Sequence, residues 1–316
     1  MIEINTSRAK QLLAESDYSK AFSQAKKAFK AVRKGSGEGA EWLGWRDLLA
    51  DPNDAILEQI DSLATNIRDQ ADVFIVCGIG GSYLGARAVI EALNSYFGTD
   101  GPEIIYAGHH MSGEYLKDLI DYLNEPKKDG ESKSVFLNVI SKSGTTLETA
   151  LSFRVLRKWM TKQFPEDVDE RIICTTSSKG GALNELIDQH GYKKFFIPDD
   201  VGGRFSVLTP VGLFPIAVAG VDIRTLFYEA VSKYEELEKN PEQVLDYAAI
   251  KFALFNKGKS LDVLTTFEPQ LEALGGWLQQ LLGESEGKQG KGMFPATAIY
   301  STDLHSIGQF IQQGNR

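Results

Sequence analysis

A cluster of hydroxyl side chains follows the apolar run VFLNVI at residues 135–140. The segment SKSGTTLET, residues 141–149, places Ser141, Ser143, Thr145, Thr146 and Thr149 within nine residues. Hydroxyls and free backbone N–H groups at the start of a helix can hold a phosphate without a metal ion. An ordinary helix N-cap needs only one Ser or Thr. The pattern therefore favours phosphate binding, and the absence of a Gly-Lys-Ser/Thr nucleotide loop favours a sugar phosphate over a nucleotide.

A second glycine-rich turn, GIGGSYLGA at residues 78–86, follows the apolar run VFIV. It does not match the dinucleotide fingerprint, because Tyr83 stands where the third glycine is needed and no acidic residue ends the next strand. Glycines at a strand-to-helix turn also let backbone N–H groups approach an anion. An anion site and a purely structural turn both stay open for this segment.

Three further segments carry side chains suited to proton transfer or charge stabilisation. Arg204 follows two glycines in VGGRFSVLTPVG and could stabilise an oxyanion or pair with a structural carboxylate. The glycine-rich loop GESEGKQGKG offers Glu284 and Glu286, and composition does not choose between them. His305 is expected to open the last helix, as a proton-transfer group or as a surface residue.

The elements that must position these side chains are those of a parallel α/β sheet. Short apolar runs recur at 73–76, 103–107, 135–140, 171–175 and 194–198, with amphipathic stretches of helix length between successive runs. Continuous apolar strands are typical of parallel sheets covered on both faces, and such sheets bind ligands at the carboxyl ends of their strands.

The predicted fold is α/β, with two doubly wound α/β/α subdomains and mainly parallel sheets. Residues 65–201 form the smaller, phosphate-binding domain, and residues 1–64 and 202–316 form the larger one, with N-terminal helices. A helix is predicted to start at Asp51-Pro52, with Asp51 as its N-cap. The larger domain has candidate strands at 261–267 and 296–300. Because two strands do not sustain an independent sheet, this second sheet is expected to be incomplete in the chain.

Composition excludes several classes of protein. The chain has 316 residues, with 34 basic and 43 acidic side chains and a net charge of −9. An acidic protein has no general attraction to nucleic acid or anionic membranes, so neither is an expected partner. The N-terminus lacks an apolar signal-peptide core, and the apolar stretch 207–221 is too short to span a bilayer. A cytoplasmic protein is expected.

The cysteines and histidines do not suggest a metal site. Cys77 and Cys174 each lie in a β-branched apolar run and are expected to be buried thiols. No Cys/His spacing fits zinc. His109 and His110 are adjacent at a strand end and are expected to point apart, which disfavours a metal pair.

The order of these motifs resembles the glucose-6-phosphate isomerase (phosphoglucose isomerase) family, most closely its shorter bacterial form. GIGGSYLG, SKSGTTLET, DDVGGRFSVLTPVG, GESEGK and LHSIGQF occur in the family's order. The resemblance implies the phosphosugar-binding sugar-isomerase (SIS) fold and interconversion of glucose 6-phosphate and fructose 6-phosphate, in glycolysis and gluconeogenesis, without cofactor or metal. It also implies a sugar-phosphate site lined by Gly81, Ser82, Ser141, Lys142, Ser143, Thr146 and Thr149.

By the same resemblance, Glu284 is the base that moves a proton between C2 and C1 through a cis-enediol(ate). Arg204 stabilises the enediolate. His305 assists ring opening from the neighbouring subunit of a homodimer. A carboxylate suits this chemistry because the transferred proton is α to a carbonyl.

One departure separates the chain from the family pattern. The family's C-terminal helix carries a lysine that works with the histidine in ring opening, whereas this sequence ends at Arg316. The expectation is a fragment of a longer enzyme, which could bind phosphosugar without turning it over. The alternatives are a non-catalytic phosphosugar-binding regulator and an isomerase that also accepts mannose phosphate.

Overall fold

The computed structural model describes residues 4–98 and 101–314 as a mixture of helices and parallel strands. The α-helices are α1 (Ser7–Lys10), α2 (Glu15–Lys34), α3 (Gly44–Ala50), α4 (Asp54–Arg68), α5 (Leu84–Leu93), α6 (Gly113–Asn124), α7 (Leu147–Gln163), α8 (Ala182–His190), α9 (Pro210–Val218), α10 (Ile223–Lys239), α11 (Glu242–Asn256), α12 (Glu272–Glu286) and α13 (Gly308–Gln313). The strands are β1 (Val73–Cys77), β2 (Glu103–Ala107), β3 (Val135–Ser141), β4 (Ile172–Ser177), β5 (Lys193–Ile197), β6 (Leu261–Thr266) and β7 (Phe294–Ile299). Short 3₁₀ turns occur at Ala40–Trp42, Gly80–Ser82, Val168–Glu170, Gly203–Leu208, Pro269–Leu271 and Thr302–His305.

The chain divides into two compact units. The central unit comprises Asn53–Thr225 and Gln270–Gln280, and the flanking unit comprises Met1–Pro52, Leu226–Pro269 and Leu281–Arg316. The domain boundaries predicted from the sequence, 65–201 against the remainder, stay a prediction.

The central unit is built on a parallel sheet with the strand order β2-β1-β3-β4-β5. Each of the five predicted apolar runs forms one of its strands, within one or two residues of the expected bounds. Every residue of β1, β3 and β4 is buried, because each of these strands has neighbours on both sides and helices over both faces. The predicted α/β class with a mainly parallel sheet is confirmed.

Helices cover both faces of this sheet. Alternate residues of β1 such as Val73 and Ile75 pack with side chains of α6, α7 and α8 in one continuous apolar core. On the other face, Phe74 contacts Phe214 of α9 edge-on, with ring centroids 5.7 Å apart. Helix α9 contacts α4 and α5 on this face and has Pro210 at its first turn, where a proline costs no hydrogen bond.

The flanking unit contains a small parallel sheet, β6 with β7, and a helical pair. Helix α2 packs against α11 through Ala21, Ala249 and Ala253. Lys251 of α11 forms an ion pair with Asp262 of β6 at 2.8 Å. Small apolar side chains thus join α2 to α11, and a partly buried ion pair joins α11 to the sheet.

Three predicted helix boundaries are wrong. Helix α4 begins at Asp54, with the Asn53 side chain accepting from the Ile56 N–H, so Asp51 is not its N-cap. Helix α12 continues to Glu286, where a glycine-rich loop was expected from residue 283. The last helix begins at Gly308 and is not opened by His305, because a 3₁₀ turn precedes it.

Cys77 and Cys174 are buried free thiols, as predicted. Burial raises the pKa of both thiols to about 12, so the thiolate form is scarce at neutral pH. Across residues 4–98 and 101–314, none of the helices is both long enough and apolar enough to cross a lipid bilayer.

Candidate functional site

The strand order places two of the predicted loops side by side. Strand β1 lies between β2 and β3, so the connections leave β1 and β3 in opposite directions across the sheet. The crevice at such a switch point is where open parallel sheets bind ligands. The turn after β1 carries Gly81 and Ser82, and the loop after β3 carries residues 141–146.

Hydrogen bonds within the loop after β3 fix its conformation. The Ser141 hydroxyl accepts from the Gly144 N–H at 3.1 Å, and the Ser143 hydroxyl accepts from the Thr145 N–H at 3.2 Å. Gly144 has a φ of 68°, a left-handed conformation that glycine adopts readily. The loop then enters α7, whose N-terminus favours a bound anion.

Thr146 occupies the N-cap position of α7 without performing the capping role. Its side chain makes no capping hydrogen bond, and its hydroxyl lies 3.5 Å from the Ser141 hydroxyl. Thr149 differs, because its buried hydroxyl donates to the Gly108 carbonyl at 3.4 Å. Of these two threonines, Thr146 is thus the one whose hydroxyl lies open to a ligand.

Thr146, but not Thr149, lines a cavity of about 470 Å³ in the central unit. Its lining residues are Ile79, Ser82, Ile140, Ser141, Lys142, Ser143, Thr146, Ser177 and Lys179. Ser177 and Lys179 were missed in the sequence analysis, although they follow an apolar strand in the same way as Ser141. Lys179 is paired with Asp199 at 2.5 Å, and this contact lowers the pKa of the Asp199 carboxyl.

Lys142 connects two segments of the central unit. Its ammonium donates to the carbonyls of Pro198, Asp199 and Val201 at 3.3, 2.8 and 3.0 Å. Burial lowers the pKa of Lys142, against the opposing effect of Asp199 and Asp200. Lys142 therefore braces the loop after β3 against the segment that leads to Arg204, in addition to lining the cavity.

Replacing Lys142 with Met is expected to lower the free energy of unfolding by about 1–3 kcal/mol, because three backbone carbonyls lose a charged donor. Urea unfolding monitored by circular dichroism measures this change. Lys179→Met is the matched control, and it should lower the free energy of unfolding less than Lys142→Met does, because the Lys179 side chain is 80% exposed. Unchanged stability in Lys142→Met would contradict the bracing role.

Arg204 lies in the 3₁₀ turn Gly203–Leu208, which packs against the glycine turn after β1. The Ser206 hydroxyl donates to the Gly203 carbonyl at 2.7 Å and to the Gly81 carbonyl at 3.3 Å. The Arg204 carbonyl accepts from the Trp277 indole N–H at 3.0 Å. The backbone that presents the guanidinium is therefore fixed from two sides.

Glu284 and His305 belong to the flanking unit. Glu284 lies in the last turn of α12 and is exposed, in a helix instead of the predicted loop. Glu286 is the other glutamate that composition did not distinguish from Glu284. It forms an ion pair with Lys251 at 3.0 Å. His305 is exposed at the end of a 3₁₀ turn instead of opening the last helix.

His109 and His110 do not point apart as predicted. Their ring centroids are 4.4 Å apart, and the His110 ring contacts Tyr115 edge-on at 4.5 Å. Burial is the main cause that lowers the pKa of His109, with a contribution from His110. Within the described part of the chain, no three His, Cys, Asp or Glu side chains gather as metal ligands would.

Comparisons with known proteins address the family and the fold of the chain. A glucose-6-phosphate isomerase from Alkaliphilus metalliredigens (strain QYMF) is 45% identical over 300 residues, which cover 92% of this chain and 65% of that relative. The chain thus spans about two thirds of the length of this curated relative. The crystal structure of a hypothetical protein from Thermus thermophilus superposes with a TM-score of 0.84 at 29% identity, covering all of this chain and 73% of that one.

A glucose-6-phosphate isomerase structure from Chlamydia trachomatis D/UW-3/Cx has a TM-score of 0.66 at 21% identity, over 83% of this chain and 51% of that one. At this identity the likeness shows a shared fold. The family model described as phosphoglucose isomerase matches residues 58–314, which is most of the chain. The chain belongs to the phosphoglucose isomerase family.

Proposed function

We propose that this protein interconverts glucose 6-phosphate and fructose 6-phosphate, as an aldose–ketose isomerase of glycolysis and gluconeogenesis. The observation that carries the proposal is the hydroxyl-lined cavity at the switch point of the sheet, in a member of the phosphoglucose isomerase family. Hydroxyls and a helix N-terminus are suited to bind a phosphate group that anchors the substrate and takes no part in the reaction.

In this proposal the phosphate is held by the loop after β3 and the turn after β1. The proposed ligands are Gly81, Ser82, Ser141, Lys142, Ser143, Thr146 and Thr149. Backbone N–H groups and hydroxyls donate to the phosphate oxygens, and the α7 dipole adds to the attraction. The geometry favours Thr146 over Thr149 as a direct ligand, because the Thr149 hydroxyl already has a carbonyl acceptor.

The proposed proton transfer uses three side chains. The Glu284 carboxylate removes the proton at C2 of the open-chain aldose and returns it at C1, which gives the ketose through a cis-enediol(ate). The Arg204 guanidinium stabilises the negative charge that develops on the enediolate oxygens. His305 assists ring opening. We further propose that the enzyme is a cytoplasmic homodimer in which His305 comes from the partner subunit.

A coupled assay of the natural protein tests the activity. Fructose 6-phosphate is supplied, and the glucose 6-phosphate formed is oxidised by an NADP-dependent dehydrogenase that reports the rate by absorbance. Turnover well above a no-enzyme control supports the proposal. Phosphosugar binding by calorimetry without turnover would contradict it, and would favour a phosphosugar-binding regulator.

Thr146→Val is expected to weaken fructose 6-phosphate binding by about tenfold, because one hydrogen bond to a charged phosphate is lost while side-chain volume is kept. Calorimetric titration measures the change in Kd. Thr145→Val is the matched control, because the Thr145 hydroxyl donates to Ser143 and does not line the cavity. Equal losses in both variants would argue against a specific role for Thr146.

A further inference from the structure

A second cavity lies within the central unit, on the α7–α8 side of the loop after β3. Its volume is about 620 Å³, which is in the range of small-molecule sites. The apolar part of its lining comes from β3, α7 and α8, and consists of Val139, Ala150, Phe153, Ala182, Leu183 and Leu186. We call this cavity the α7–α8 groove. An apolar surface of this kind fits a ring or hydrocarbon body better than a hydroxylated sugar.

The charged side chains of the α7–α8 groove all carry the same sign. They are Arg154, Arg157, Lys158 and Lys162, and none of the described lining residues is a carboxylate. The chain as a whole has a net charge of −9, whereas the groove is positively charged. Such a concentration of positive charge attracts anions.

Three of these cations have no partner among the residues that the structure describes. The side chains of Arg154, Lys158 and Lys162 make no hydrogen bond or ion pair within residues 4–98 and 101–314. They also follow one another at intervals of four residues along α7, a spacing at which like charges repel. A bound anion would relieve this repulsion.

Arg157 is the fixed cation of the groove. Its Nη2 lies 2.6 Å from His190 Nε2, and His190 Nδ1 lies 3.4 Å from Asp169 Oδ1. The His190 ring in turn stacks on Tyr192, with centroids 5.1 Å apart. This chain of contacts orients the guanidinium before any ligand arrives, which lowers the entropic cost of binding.

We propose that the α7–α8 groove binds a small organic anion with an apolar body. The anionic group lies among Arg154, Arg157 and Lys158, and the apolar body lies against Phe153 and Leu186. The groove is distinct from the phosphate cavity, although Ser141 and Thr146 line both and Thr149, one of the proposed phosphate ligands, lines the groove. Its ligand class differs, because the phosphate cavity offers mainly hydroxyls and the groove offers an apolar floor.

The test uses 8-anilinonaphthalene-1-sulfonate, an aromatic sulfonate whose fluorescence rises in apolar surroundings. The expected result is saturable binding to one site per chain. Arg154→Glu/Lys158→Glu should weaken this binding by about tenfold or more, since two attractive charges become repulsive. Ala150→Phe keeps all four cations but fills the groove, and should also weaken binding. Circular dichroism confirms that each variant is folded.

The matched control is Arg8→Glu/Lys27→Glu, which makes the same change of charge at two exposed residues outside the groove. This control should bind the probe as the unaltered chain does. Absence of saturable binding, or equal losses in the two charge-reversed variants, would overturn the proposal. So would a loss in Arg154→Glu/Lys158→Glu without any loss in Ala150→Phe, because the anion would then bind the helix surface alone. The readout does not depend on isomerase activity, so either proposal can fail without the other.

Discussion

Glu284→Gln is expected to lower kcat for fructose 6-phosphate by about 10²- to 10⁴-fold, because the carboxamide cannot accept the proton that moves between C1 and C2. The substitution keeps the size and shape of the side chain. The loop after β3, which we propose holds the phosphate, belongs to the other unit of the chain, so fructose 6-phosphate should still bind. The coupled assay measures kcat, and calorimetry measures the Kd of the same preparation.

Glu286→Gln is the matched control for this experiment. Glu286 is two residues away and forms an ion pair with Lys251 at 3.0 Å. Its replacement therefore weakens an ion pair in the flanking unit. We expect a small loss of stability with kcat nearly unchanged. Near-normal kcat in Glu284→Gln, or an equal loss of kcat in Glu286→Gln, would remove Glu284 from the role of the base.

Gly81→Ala is expected to destabilise the central unit by at least about 2 kcal/mol, because the added methyl group has no room. A Cβ at residue 81 would lie 2.2 Å from the carbonyl carbon and oxygen of Gly203, and 2.6 Å from the Arg204 nitrogen. These are backbone atoms that cannot rotate away as the end of a long side chain could. The turn after β1 and the turn that carries Arg204 must therefore separate, which should also weaken phosphosugar binding.

Gly113→Ala is the control for the effect of adding a methyl group. Apart from its chain neighbours and the backbone of its own helix, no described atom lies within 4 Å of a Cβ at residue 113, and the residue opens helix α6. This change should leave stability unaltered or raise it by up to about 1 kcal/mol. Thermal unfolding followed by circular dichroism compares the two variants. A Tm for Gly81→Ala close to that of Gly113→Ala would mean that the two turns can separate without cost.

The central sheet could be predicted from the sequence because its signal is local. Residues buried on both faces of a parallel sheet leave continuous apolar runs, and β1, β3 and β4 are such runs. The hydroxyl cluster after β3 was equally visible. Ser177 and Lys179 were not recognised because the adjacency of β4 to β3 is set by the sheet order, which the sequence does not state.

Other features could not be predicted because distant contacts decide the structure. The role of Lys142 as a phosphate ligand stays a prediction, and its donation to carbonyls more than fifty residues away was not visible in the sequence. The glycines around Glu284 suggested a loop, whereas α12 continues through Gly283. Glycine lowers helix propensity by only about 1 kcal/mol, which packing can outweigh.

Strand β3 pairs with β1 on one side and β4 on the other, with Val73 opposite Val135 and Leu137 opposite Ile172. Ser141, the last residue of β3, is therefore set in place by the whole sheet and not by its own loop. The proposed binding of a phosphosugar to the loop after β3 would draw the folding equilibrium toward the native state by mass action, as RT ln(1 + [L]/Kd). The Tm of the central unit should consequently rise with phosphosugar concentration. Remote substitutions that destabilise the sheet should lower the apparent affinity for the ligand.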